Sequence, residues 1–149
     1  MKNKNNKVLS IYAKNTYKVY YAHSMSFYNS AIELKDLKFL NPKYNVVNPK
    51  DLKFSGNRSM LPYLLTVKDC DIVYYRGNTI GVVIEVLTSL SLHKPVYSLK
   101  SKDLMTYNEI KNFATIFNNN PYHNKDLTLI KSISNSVYNG VLTMLNGDF

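Results

Sequence analysis

The chain is poor in the residues that staple or metallate a small domain. It has one cysteine, Cys70. That excludes an internal disulfide and any zinc site of the ordinary cysteine type, and points to a reducing compartment, the cytoplasm. Its three histidines have neither HxxxH nor HxH spacing, so no metal site is expected. No stretch approaches the roughly 20 apolar residues that span a bilayer. The opening MKNKNNKVLSIY is charged, but its apolar run is too short for a signal peptide and no small-residue cleavage site follows. Arginine is scarce: Arg58 and Arg76 stand alone among 19 basic residues, and the lysines are scattered. A dedicated nucleic-acid surface calls for more arginine and a basic stripe. Nucleic acid is therefore a secondary expectation as a partner, and a membrane is not expected.

What is present suits a globular domain. The 149 residues are 45% apolar, enough to bury a core without metal or disulfide support. The net charge of +9 favours anionic partners, phosphorylated small molecules among them. The abundance of Lys, Asn, Ile and Tyr is also what codon bias in an AT-rich genome produces.

Strand-like and helix-like segments alternate. Residues 1–7 read as a frayed polar tail. Val8 to Tyr12 and Lys18 to Ala22 are β-like, forming a hairpin or adding an edge strand to the core. Ser30 to Leu40 predicts a helix with Ile32, Leu34, Leu37, Phe39 and Leu40 inside and Glu33, Lys35, Asp36 and Lys38 outside. Tyr44 to Asn48 is a short strand. Met60 to Val67 is a helix with Pro62 in its first turn. Ile72 to Tyr75, an unalternating apolar run, predicts a strand buried on both faces. A helix from Gly81 to Leu92, which Thr79 can cap, and a strand from Val96 to Leu99 follow. Residues 100–149 read as mainly helical, with helices over Tyr107 to Phe117 and Asp126 to Leu145, the latter alternatively starting as a strand at Leu127 to Ile130. The β-α-β-α-β-α-β order predicts a single α/β domain over 1–149, flavodoxin-like or Rossmann-like, with a central, mostly parallel sheet and right-handed crossovers.

Such sheets bind ligands outside the carboxyl ends of their strands. Four segments lead out of those ends: Tyr21 to Tyr28, Asn48 to Asp51, Arg76 to Thr79, and Lys100 to Asp103. The third runs into Gly81 and Glu85. Glu85 stands among Val82, Val83, Ile84, Val86 and Leu87, where a carboxylate has to be solvated, paired or used. Gly81, one helical turn earlier on the same face, leaves room for a ligand near the backbone. Read plainly, Glu85 is a helix acid facing solvent or pairing with Lys94. His23 is equally a loop histidine satisfied by backbone, Ser24 and Ser26 equally helix caps, Asn48 a turn-former, and Arg76 the partner of a surface acid. Asp69 and Asp71 lie at the strand's entry end and read as structural.

Three segments together resemble the nucleoside 2-deoxyribosyltransferase superfamily, which includes the deoxynucleoside 5′-monophosphate N-glycosidases. They are YYAHSMSFY (Tyr20 to Tyr28), Asn48-Pro49, and CDIVYYRGNTIGVVIEVLTSLSLHKPVYSL (Cys70 to Leu99). The resemblance covers about Lys18 to Leu99. It implies a double displacement at the sugar, in which Glu85 attacks the anomeric carbon, expels the base, and is released by water or a second base. It further implies no cofactor, a nucleoside or nucleotide as ligand, and a homo-oligomer. The substrate-binding residues it implies are Tyr21, His23, Ser24, Ser26, Asn48, Asp51, Arg76, Gly77, Asn78 and Gly81. His23, Ser24 and Ser26 would read a 5′-phosphate, with Arg76 or Lys50 adding charge. The chain departs from the transferases where they carry an acid upstream of the glutamate; here those positions are Gly77, Asn78 and Thr79. Asn78 hydrogen-bonds but cannot protonate a base. Two other readings fit the same residues: a nucleotide-sensing module without turnover, and a basic nucleic-acid-associated protein.

Overall fold

A computed structural model describes residues 17–52 and 60–120. The segments expected at Val8 to Tyr12 and Asp126 to Leu145 lie outside the described residues. Within them, four strands form one all-parallel sheet in the order β2-β1-β3-β4: β1 (Lys18–His23), β2 (Asn45–Val47), β3 (Ile72–Arg76) and β4 (Val96–Ser98). Four helices connect and cover them: α1 (Ala31–Leu40), α2 (Leu61–Lys68), α3 (Ile80–Ser91) and α4 (Tyr107–Asn119). This is a doubly wound α/β domain, as the alternating pattern predicts. The strand order reverses between β1 and β3, which makes their carboxyl ends the switch point of the sheet.

The longest pairing runs along β1 and β3, from Val19 opposite Ile72 to His23 opposite Arg76. Alternation along each strand divides the core in two. Tyr20, Ala22, Val73, Tyr75 and Val96 face α2, α3 and α4, meeting Leu64, Val67, Val82, Val86, Phe113 and Phe117. Val19, Tyr21 and Tyr74 face α1 through Leu37, Phe39 and Leu40. α3 lies against the middle of the sheet, and every residue from Val82 to Ser89 is buried. Its continuous apolar run is explained by that position rather than by a membrane; among the described residues no helix is long and apolar enough to cross one.

Helix starts follow from local chemistry. Ser30 Oγ accepts the Glu33 N–H at 3.2 Å and starts α1, so Ser24 and Ser26 do not cap it. Thr106 and Glu109 form a capping box at α4. Thr79 occupies the N-cap position of α3, but its side chain caps nothing and is used elsewhere. Asp71 has a structural place, accepting the Lys18 N–H at 2.8 Å.

The α1 face is phased differently from the sequence expectation. Ile32 and Leu34 are exposed, whereas Glu33 and Asp36 are 1% and 2% exposed. The inward stripe is Glu33, Asp36, Leu37 and Leu40, a proper i, i+3, i+4, i+7 series. Hydrophobicity misplaced the stripe because two of its four members are carboxylates with partners on the sheet. The phase has a direct check. Leu40→Ala is expected to cost about 2–5 kcal/mol in denaturant unfolding. Leu34→Ala should change stability by less than about 0.5 kcal/mol, and a larger loss at Leu34 than at Leu40 would contradict the phase.

Candidate active site

The β1 and β3 ends continue into two touching loops. After His23, Ser24 leads into a 3-10 turn, Met25–Phe27. After Arg76, Gly77 takes a φ of 90°, and a Cβ there would sit 2.6 Å from Ser24 Oγ and 3.2 Å from the Phe27 ring. Only glycine meets both the dihedral and the space. Ser24 Oγ and Thr79 Oγ1 then share a hydrogen bond at 3.0 Å, tying the loop after β1 to the start of α3.

Between these loops, a second 3-10 turn at Pro49–Asp51 and the start of α2 lies a cavity of about 650 Å³. His23, Ser24, Ser26, Tyr28, Tyr63 and Thr79 line it with polar groups, and Met25, Pro49, Met60 and Val82 with apolar ones. Gly81 and Glu85 complete the wall from α3. A Cβ on Gly81 would meet only Met60 Sδ, at 4.0 Å, so the glycine leaves the cavity open one turn above the carboxyl.

Glu85 is 5% exposed, and the Tyr20 hydroxyl donates to its Oε2. Burial raises its pKa to about 8, and the Tyr20 hydrogen bond only partly opposes this. Burial, followed by the neighbouring Glu85 charge, drives the Tyr20 phenol well above its ordinary value. Lys94 is not its counter-ion, since the ammonium donates to the Cys70 carbonyl.

The α1 side of the same strand ends holds a second polar group of opposite character. Arg76 clamps Asp36 through Nε (2.6 Å) and Nη2 (2.8 Å), and the Tyr21 hydroxyl donates to the same carboxylate at 2.6 Å. Glu33 accepts from Lys50 Nζ (2.9 Å), His23 Nε2 (2.8 Å) and the Asn29 N–H (3.1 Å). Burial works to raise the Glu33 pKa, but Lys50, His23 and Asn29 outweigh it and hold it at about 2. The His23 ring stacks on Tyr21 with centroids 3.7 Å apart, and its Nδ1 donates to the Tyr21 carbonyl at 2.9 Å.

The expected site residues thus separate. His23, Ser24, Ser26, Gly81 and Glu85 line one cavity. Tyr21 and Arg76 lie on the α1 face, bound to Asp36, because strand alternation turns them away from Glu85. Lys50 is spent on Glu33. Asn48 accepts the Lys50 N–H and shapes its turn, Asp51 and Asn78 are exposed outside the cavity wall, and Gly77 shapes the loop behind it. Sequence reasoning passed over Tyr20, Tyr28, Met60 and Tyr63, and placed Glu33 and Asp36 outside. For Tyr20 a signal existed: Tyr20 and Tyr21 must face opposite sides of the sheet, so only one could meet the α3 helix. Among the described residues no group of three or more His, Cys, Asp or Glu side chains is placed to hold a metal ion.

Two outcomes follow from this geometry. Gly77→Ala should destabilise the protein by about 1–3 kcal/mol through strain and the Ser24 clash; a neutral result in denaturant unfolding would contradict the contact. Glu85 binds a proton in the native state that the unfolded chain releases near 4.5, so native stability falls as pH rises from 4.5 to about 8. Glu85→Gln lacks this dependence. Its stability relative to the native chain should therefore climb with pH, by up to about 5 kcal/mol over that window. A pH-independent difference would exclude a buried, neutral carboxyl.

Comparison of the chain with protein-family models, with curated proteins and with solved structures yields no match.

Proposed function

We propose that the protein cleaves or exchanges the N-glycosidic bond of a 2′-deoxyribonucleoside or its 5′-monophosphate, through a covalent sugar ester on Glu85. The observation that carries this reading is one buried carboxyl in the wall of a ligand-sized cavity at the sheet's switch point, oriented by a tyrosine hydroxyl. The resemblance of Tyr20 to Tyr28, Asn48-Pro49 and Cys70 to Leu99 to nucleoside 2-deoxyribosyltransferases supports the same reading.

The ionised form of Glu85 is the nucleophile. Its attack on C1′ is helped by the low-dielectric surroundings, which leave the carboxylate poorly solvated and able to capture an oxocarbenium-like centre. Tyr20 holds Oε2 and so fixes the direction of the carboxyl. Tyr63, Met25 and Met60 supply planar and polarisable surface for a nucleobase. Arg76 and Lys50 are engaged by Asp36 and Glu33. A 5′-phosphate would therefore be met by the hydroxyls of Ser24 and Ser26 and the first N–H groups of α3. On this reading the protein works as a cytoplasmic homo-oligomer. A second reading, a nucleotide-sensing module, is favoured by the neutral form of Glu85 at neutral pH, which would donate a hydrogen bond to a ligand instead of attacking it.

Base release from deoxynucleosides and their 5′-monophosphates, measured beside Glu85→Gln, separates the two. Release should vanish in the variant. In the native chain, kcat/KM should rise about tenfold per pH unit below about 8 and level off above it, as the nucleophile loses its proton. Ligand binding with no release at any pH would leave the sensing module as the better account.

A further inference from the structure

We propose that Tyr28 is the proton donor to the leaving base and, after the base departs, the acceptor of the proton from the incoming water. The proposal rests on the glycosidic reading above and addresses what that reading leaves open. Asn78, which stands where the transferases carry an acid, cannot protonate a base and does not line the cavity.

The protic groups of the cavity wall are mostly committed. Both nitrogens of His23 are spent, on the Tyr21 carbonyl and on Glu33. Ser24 and Thr79 bond each other. Tyr20, behind the wall, is spent on Glu85. Ser26 is an aliphatic alcohol, far too weak an acid. Tyr28 is half-buried in the same wall as Glu85, and its hydroxyl makes no hydrogen bond among the described residues. The Tyr28 N–H bonds to the Met25 carbonyl at 3.0 Å, and the ring lies against His23 with centroids 5.0 Å apart. The phenol is therefore held by backbone and ring contacts, with the hydroxyl left for a ligand.

Electrostatics couples this phenol to the nucleophile. Burial, and then the charge on Glu85, raise the Tyr28 pKa to about 12. When Glu85 becomes an ester its charge is gone. The phenol thus becomes a stronger acid in the step in which the base needs its proton.

The chemistry balances without a further reagent. In the first step the Glu85 carboxylate forms the C1′–O bond, the C1′–N bond breaks, and its electron pair goes to the base nitrogen. That nitrogen takes the Tyr28 proton, leaving sugar ester, neutral base and tyrosinate. In the second, water attacks C1′ and releases the Glu85 carboxylate, while the tyrosinate takes the water's proton. In base exchange, the N–H of the second base replaces the water.

The test is the dependence of base release on leaving-group acidity. It uses deoxyuridine against its 5-fluoro and 5-bromo derivatives, and deoxyguanosine against 7-methyl-2′-deoxyguanosine, whose base leaves neutral without a proton. Each is assayed as nucleoside and as 5′-monophosphate. The native chain should show a shallow dependence. Tyr28→Phe should lose about 10²–10⁴-fold on the unactivated bases and little on the activated ones, with Glu85→Gln inactive on all of them. A steep dependence already present in the native chain overturns the proposal without recourse to any variant. So does an equal loss by Tyr28→Phe on every leaving group, or the selective loss appearing in Tyr63→Phe instead. Failure of the native chain to release any base, including 7-methylguanine, overturns the glycosidic reading itself and this proposal with it.

Discussion

The parallel pairing of β1 with β3 is the constraint on which the remaining geometry depends. It brings two strand ends together at the one place where the sheet changes winding direction. With His23 opposite Arg76, side-chain alternation sorts the neighbouring residues onto two faces. Tyr20 goes toward α3 and finds Glu85. Tyr21 goes toward α1 and finds Asp36. A slip of one residue would turn Tyr20 away from Glu85 and Tyr21 away from Asp36 and break both hydrogen bonds. The core and the polar chemistry therefore specify the same register.

Two buried glutamates on either side of that pairing show how surroundings decide a carboxyl's character. Both lose water, which by itself favours the neutral acid. Glu33 regains more than it loses, from Lys50, His23 and a backbone N–H, and stays ionised into strong acid. Glu85 has one phenol and an apolar surround, and holds its proton to about 8. The first arrangement ties loops to a helix. The second leaves a carboxyl in a cavity wall whose protonation changes near neutrality.

Much of the architecture was legible because strand and helix signals agreed. The unalternating run Ile72 to Tyr75 reads as a doubly covered strand and is one. Gly77, Gly81 and Glu85 mark a strand-turn-helix unit whose carboxyl end faces the cavity. The α1 face was not legible, since Glu33 and Asp36 are buried through side-chain partners ten to 40 residues away in the chain, which no local pattern encodes. For the same reason Arg76 and Lys50 looked free to meet an anion. Tyr28 was hidden by abundance, as one of 13 tyrosines. What distinguishes it is a cavity assembled from four separate segments.

The complete burial of α3 from Val82 to Ser89 has a dynamic consequence. Amides in such a helix exchange with solvent only when the domain opens broadly, so the stretch carrying Glu85 belongs to the slowest-exchanging part of the molecule. Any adjustment to ligands of different size must then come from the opposite wall. There Met25 is almost fully exposed and the short turns after β1 and β2 have few buried contacts. One wall is thus a fixed anvil bearing the carboxyl. On the proposed reading, discrimination among ligands falls to the other, where exposed side chains can be exchanged with little effect on the core.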